Sequence, residues 1–253
     1  MMIFNRKRKA KKIECAYLCH EGNVRKENQD QIFLCMDNDV VICREEMKIS
    51  GNGKGQTSMK CAVFDGMGGM SQGEMASLIA TNMCAKNREK WQQDEEGINE
   101  LFQEINSEIG DYRIKNRISD MGTTGVLAIG DVQEVVYGNI GDSRLYYLHK
   151  GKLQQCSIDH TMTQPYTGKR LLMQYLGMDS DYEIEPHLGR LKVESGSEIL
   201  LCSDGLTDCL NDEEIEKVLN NHNKVEMQLK AFMDMALKRE AQDNISIILC
   251  RWE

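Results

Sequence analysis

Apolar positions along the chain fall into two rhythms. Short runs at Ile13 to His20, Gln31 to Met36 and Lys60 to Phe64, flanked by Gly, Asp or Asn, predict strands. From Glu74 to about Trp91, Met75, Leu78, Ile79 and Met83 recur at helical spacing. Ile98, Leu101, Phe102, Ile105, Ile109 and Tyr112 do so more cleanly, so two amphipathic helices are expected, with their methionines as core filler. Gly125 to Ile129, Glu134 to Gly138, Arg144 to His149 and Lys152 to Ser157 read as consecutive strands, the last two joined by a hairpin turn around Gly151. After an irregular stretch, Glu198 to Cys202 predicts a buried strand, residues 212–220 and 224–239 helices, and Ile245 to Arg251 a closing strand. Strands and helices are segregated into blocks, which predicts an α+β layered fold rather than alternating βαβ units.

A chain of 253 residues with 41% hydrophobic and 28% charged positions has the composition of an ordinary globular protein. The expected organisation is a basic disordered tail over residues 1–12 and one domain over 13–253. Its longest apolar runs, Glu198 to Cys202 and Ile245 to Cys250, fall far below the roughly 20 residues of a membrane-spanning helix. SGNGKGQTS at residues 50–58 reads as an exposed loop and lacks the GKS or GKT ending of a phosphate loop. Ten Cys without a CxxC pair or a secretory signal are expected to be reduced thiols of a cytoplasmic protein, mostly in the core.

Charge narrows the chemistry. The net charge is −9, from 31 basic and 40 acidic residues. Residues 6–12 hold six of the basic ones and no acid, leaving 25 basic against 40 acidic elsewhere. Such a body repels nucleic acid and needs cations for its carboxylates, divalent metal first. The basic segment is expected to be solvated, with acidic lipid or a protein partner as the alternative.

Five acids share one local context: Asp30 before a strand, Asp65 ending one, Asp142 in GDSR, Asp204 in SDGLTD and Asp243 before the last strand. Strand ends are rigid mounts from which carboxylates can converge, and convergent hard oxygens suit Mg²⁺ or Mn²⁺. A single Asp-Gly pair is most often only a turn. In order, however, the chain reads GNVRKENQD (22–30), VFDGMGG (63–69), MGTT (121–124), NIGDSRLY (139–146), LCSDGLTD (201–208) and QDNIS (242–246). This series resembles the metal-dependent PP2C (PPM) protein Ser/Thr phosphatases in their compact bacterial form, over residues 15 to 250.

The resemblance implies a four-layer α/β/β/α sandwich and a set of roles. Asp65 would bridge two metals, with the Gly66 carbonyl beside it, and Asp204 and Asp243 would complete the first metal. Asp30 would hold water around the second metal, and Arg25 would bind phosphate with its planar fork. Asp142, Asp204 and Asp208 match a third site. The implied cofactors are two or three Mn²⁺ or Mg²⁺ ions. The implied reaction is hydrolysis of phosphoserine and phosphothreonine in proteins by metal-activated water, without a covalent intermediate. No Ser or Cys is assigned as nucleophile; Cys19 and Arg25 have the spacing of a C-x5-R loop, but the intervening HEGNV does not resemble that phosphate cradle.

Three features depart from the family pattern. Met67 stands where eukaryotic relatives carry a His, and Gln29 where many members have Glu. DHTMTQPYTGKRLLMQYLG, residues 159–177, passes from His160 to an LLMQYLG strand with few residues to spare, so the flap of bacterial relatives looks truncated. His160 itself is expected to be structural. The partners implied are phosphoproteins and a Ser/Thr kinase in the same cell; a monomer is the expected working unit. Two alternatives stand beside an active phosphatase: a catalytically weak, phosphatase-like regulatory module, and a metal phosphatase on small phosphorylated molecules.

Overall fold

Most strands of this protein are apolar on both faces because both faces are covered. In the computed structural model, which describes residues 9–37, 39–43, 56–67, 72–179 and 181–253, the chain begins with β1 (Ile13–His20), β2 (Gln31–Met36), β3 (Asp39–Cys43), β4 (Ser58–Phe64) and β5 (Gly66–Met67). Then come α1 (Gln72–Asn87), α2 (Glu95–Asn116), β6 (Gly122–Thr123), β7 (Gly125–Asp131), β8 (Glu134–Ile140), β9 (Arg144–His149) and β10 (Lys152–Gln155). The last part holds β11 (Thr161–Thr163), β12 (Arg170–Leu172), β13 (His187–Lys192), β14 (Glu198–Cys202), α3 (Asp204–Thr207), α4 (Asp212–Asn221), α5 (Val225–Lys238) and β15 (Ile245–Trp252). The basic segment up to residue 8, residues 50–55 of the Gly-rich stretch, and Gly68 and Gly69 lie outside the described residues.

Two antiparallel sheets face each other, one in the order β1-β15-β14-β9-β10 and one in the order β13-β8-β7-β4-β2-β3. Alternate residues of each strand feed different cores. Ile13, Cys15 and Tyr17 of β1 meet Ile32 and Leu34 of β2 and Cys61 and Val63 of β4 between the sheets. Ala16 and Leu18 point the other way, toward Leu229 and Phe232 of α5. Phe33, Ala62 and Phe64 pack under α1 and α2, where Ile98, Leu101, Phe102, Ile105 and Ile109 form the buried stripe. The result is the α/β/β/α sandwich. Asp94 caps α2 by accepting from the Gly97 N–H at 2.7 Å, and Asn211 with Glu214 closes a capping box on α4.

Several elements differ from expectation. The edge strand β3, with three of its five residues exposed, has no buried alternation for the sequence to show. The stretch before β14 contains β13, paired with β8 from His187↔Asn139 to Lys192↔Glu134. The LLMQYLG strand is shorter than expected: β12 ends at Leu172, and Leu176 makes only an isolated bridge to Thr123. Cys15 and Cys250, expected as separate thiols, face each other on β1 and β15 and are joined in a disulfide. The other eight cysteines form no disulfide, and all but Cys209 are buried. At the N-terminal end, the N–H groups of Lys11 and Lys12 donate to the Glu253 carbonyl and Ala10 is buried.

Register positions the acids. Gln31 pairs with Phe64, so Asp30 and Asp65 leave the same end of the six-stranded sheet. Cys202 pairs with both Arg144 and Ile247, so Asp142, Asp204 and Asp243 leave one end of the five-stranded sheet.

Candidate active site

The two sheet ends meet at a cleft of about 710 Å³ lined by Arg25, Lys26, Gln29, Asp65, Gly66, Met67, Thr124, Asp142, Arg170, Leu172, Asp204, Asp243 and Asn244, among others. Of the residues singled out in the sequence, Arg25, Asp65, Gly66, Asp142, Asp204 and Asp243 line it together. Asp30 lies beneath them, fully buried. Asp208 does not line the cleft, but its charge acts on Asp142 and Asp204.

Ser203 stitches the two sheet ends together. Its hydroxyl donates to Asp30 Oδ2 at 2.9 Å and accepts the Ser246 N–H at 3.0 Å. The TT of the MGTT motif holds Asp65 by its backbone. The Asp65 carbonyl accepts from the Thr124 N–H at 2.9 Å and the Thr123 hydroxyl at 2.8 Å, and the Asp65 N–H donates to Thr124 Oγ1 at 3.2 Å. Asn244 clamps the loop that carries Arg25. Its amide donates to the Glu21 and Glu27 carbonyls at 2.9 and 3.1 Å, and its Oδ1 accepts the Gln29 N–H at 2.9 Å. His160 is structural: its Nδ1 accepts the Gly141 N–H at 3.0 Å, fixing the turn before Asp142, where Gly141 has φ +95°. No carboxylate role had signalled Ser203, Asn244 or Arg170; Asn244, beside Asp243 in QDNIS, offered the clearest hint.

Electrostatically the cluster is under stress. Burial pushes Asp30 up to about 7, against hydrogen bonds from Ser246 and Ser203. Burial, then the charges of Asp142 and Asp208, pushes Asp204 up to about 7. Asp65 is raised well above the carboxylate range by burial and by Asp30, Asp204 and Asp243. Arg25 donates from Nη2 to Asp243 Oδ2 at 2.6 Å, so the expected phosphate binder here faces a carboxylate. Among the described residues, no three His, Cys, Asp or Glu already close on one point as a metal cage. The donor set nonetheless fits hard divalent ions. It is all oxygen, and two buried oxygens, Asp30 Oδ1 and Asp204 Oδ1, have no hydrogen-bond partner.

Close approach of backbones brings Asp204 and Asp243 to one place. A Cβ on Gly205 would stand 2.0 Å from the Asn244 carbonyl oxygen, which no L side chain allows. Gly205→Ala is therefore expected to lower the melting temperature by about 3 to 10 °C, from an overpacking cost of roughly 1–3 kcal/mol. A thermal scan of the variant checks this, and an unchanged midpoint would refute the close approach.

Comparison with known proteins identifies the lineage. The serine/threonine phosphatase stp of Listeria monocytogenes is 27% identical over 254 residues, covering 90% of this chain and 91% of that protein. The crystal structure of the Mycobacterium tuberculosis serine/threonine phosphatase PstP/Ppp is 25% identical with a TM-score of 0.76, covering 96% of this chain and 99% of that one. A structure of the catalytic domain of PstP in complex with two manganese ions is 25% identical with a TM-score of 0.77, covering 95% of this chain and 98% of that one. The model of the protein phosphatase 2C family matches residues 46–250, well over half of the chain, and the chain belongs to that family.

Proposed function

We propose that this chain is a Mn²⁺- or Mg²⁺-dependent protein serine/threonine phosphatase that hydrolyses phosphoserine and phosphothreonine monoesters. The observation that carries this reading is the convergence of Asp65, Asp142, Asp204 and Asp243 on one cleft above buried Asp30, with unpartnered oxygens on Asp30 and Asp204. Asp65, the Gly66 carbonyl, Asp204, Asp243 and Asp30 would hold two ions, and Asp142, Asp204 and Asp208 are the candidates for a third. When bound, the ions would neutralise phosphate charge and lower the pKa of an attacking water. The manganese in the PstP catalytic domain supports the choice of ion.

The chain's own residues do the positioning. Ser203 orients Asp30, Thr123 and Thr124 fix the Asp65 backbone, and Asn244 holds the loop of Arg25. Thr124, the one hydroxyl side chain lining the cleft among the described residues, is already engaged by Ser143 Oγ at 2.7 Å and by the Asp65 N–H. That favours attack by water over a covalent nucleophile.

Arg25, with its side chain 55% exposed at the cleft, is the donor for substrate phosphate. Arg25→Ala is expected to raise KM for a phosphopeptide roughly 10- to 100-fold, the worth of a charge-assisted hydrogen bond pair. Steady-state kinetics check it, and unchanged KM and kcat would remove Arg25 from the site.

The reading includes a single domain over residues 13–253, a single chain as working unit, and a Ser/Thr protein kinase in the same cytoplasm that installs the phosphoryl groups removed here. No described helix is long and apolar enough to cross a membrane. The test is phosphate release from a phosphothreonine peptide with Mn²⁺ and with EDTA. Metal-dependent release supports the reading, and silence from a folded, Mn²⁺-binding protein overturns it. A marked preference for a sugar phosphate would move the assignment to small-molecule substrates.

A further inference from the structure

Arg170 reaches the acidic cleft from an element with no assigned role. It sits on β12, opposite Thr163 in the β11–β12 hairpin, and its side chain is 40% exposed at the cleft wall. Its Nη2 donates to Asp159 Oδ2 at 3.0 Å and lies 3.6 Å from Asp142 Oδ2. Asp159 is itself a fixed post. Arg144 grips both of its oxygens through Nε at 3.0 and 3.1 Å and through Nη2 at 2.7 Å, and Gln155 Nε2 donates to it at 3.0 Å. The guanidinium is therefore aimed at Asp142 by a locked carboxylate rather than left to wander in solvent.

The corner it enters needs positive charge. Asp142, Asp204 and Asp208 act on one another as like charges, and each of the first two is largely withdrawn from water. A divalent ion bonded to Asp142 at about 2.1 Å would face the guanidinium at close range, cation against cation. Both cannot occupy the corner favourably.

From this geometry we infer that Arg170 supplies the counter-charge at Asp142 that a third divalent ion would otherwise supply, so that the centre fills with two ions and excludes the third. The inference rests on the dinuclear reading given above and specifies the regulation of that same site. It makes Arg170 a positioning residue, and the short hairpin the element that sets metal stoichiometry.

The test is Mn²⁺ binding to the full chain, measured by electron paramagnetic resonance of free Mn²⁺ during titration to about 1 mM. Wild type is expected to bind two ions. R170Q, which keeps most of the side chain's length and removes its charge, is expected to bind three, with the third at least ten-fold tighter than any further binding to wild type. R170A serves should R170Q fail to fold, as judged by circular dichroism. Adding D142N to the charge-removing variant is expected to return the count to two. A third ion on wild type, no third ion after charge removal, or a third ion that survives D142N each overturns the inference while leaving the dinuclear centre in place. Fewer than two ions on folded wild type overturns the dinuclear reading and this inference with it.

Discussion

Asp204→Asn is expected to lower kcat/KM for a phosphothreonine peptide by about 10³-fold or more at saturating Mn²⁺, a loss of roughly 4 kcal/mol of transition-state stabilisation. Asp204 stands at the start of α3, directly after β14 and Ser203, and its Oδ1 is buried without a partner. Its carboxylate is crowded by Asp142, Asp208 and Asp243. The amide keeps the shape and removes one charge from that crowd, so the metal-free fold should lose nothing and can gain slightly. Thermal midpoint and kinetics measured on the same sample separate the two effects. Turnover near that of the unaltered chain would remove Asp204 from the metal centre, and a collapse of the midpoint would make the loss structural.

A second large effect concerns pH and metal together. Asp30 and Asp204 are raised from 3.8 to about 7 in the folded chain. Between about pH 4 and 7 the folded state therefore holds more protons than the unfolded one, and stability falls as pH rises through that window. Glu214, held down at about 2 by the Arg239 hydrogen bond, works in the opposite sense only below its unfolded value of 4.5. The metal-free protein is expected to melt higher at pH 5 than at pH 8. Divalent ions take the deprotonated carboxylates, so their stabilisation should grow with pH. At 100 times the dissociation constant, Mn²⁺ contributes about 2.7 kcal/mol, or about 5 to 10 °C for a domain of this size at pH 8. Differential scanning calorimetry at both pH values with EDTA or Mn²⁺ reads this directly. A metal shift as large at pH 5 as at pH 8 would contradict the burial of these carboxylates as its cause.

Much of the frame was legible in the residues. Ile13 to His20, Gln31 to Met36, Arg144 to His149 and Glu198 to Cys202 are strands over the very residues expected, because strands covered on both faces read as unbroken apolar runs. The stripe of α2 is equally plain, since its opposite face is polar. The edge strand β3 and the strand β11 were not legible, and β12 only through Leu171 and Leu172 of the longer strand expected there, because exposed strands are defined by pairing and not by burial. The disulfide partners Cys15 and Cys250, 235 residues apart, become neighbours only through the register of β1 with β15.

The linear chain determined which groups of this protein are the candidates for its chemistry: acids at strand ends, in an order and context that match one family. Those are local properties, set by residue type and by the few residues on either side. Tertiary structure decided how the groups meet. Ser203 reaches Asp30 across 173 residues because the ends of two sheets face each other. Arg25 turns to Asp243 across 218 residues, and Arg170 to Asp142 through a hairpin whose strands have only three residues each. Charges separated this far along the chain interact only when packing removes the water between them, and no local pattern encodes that distance.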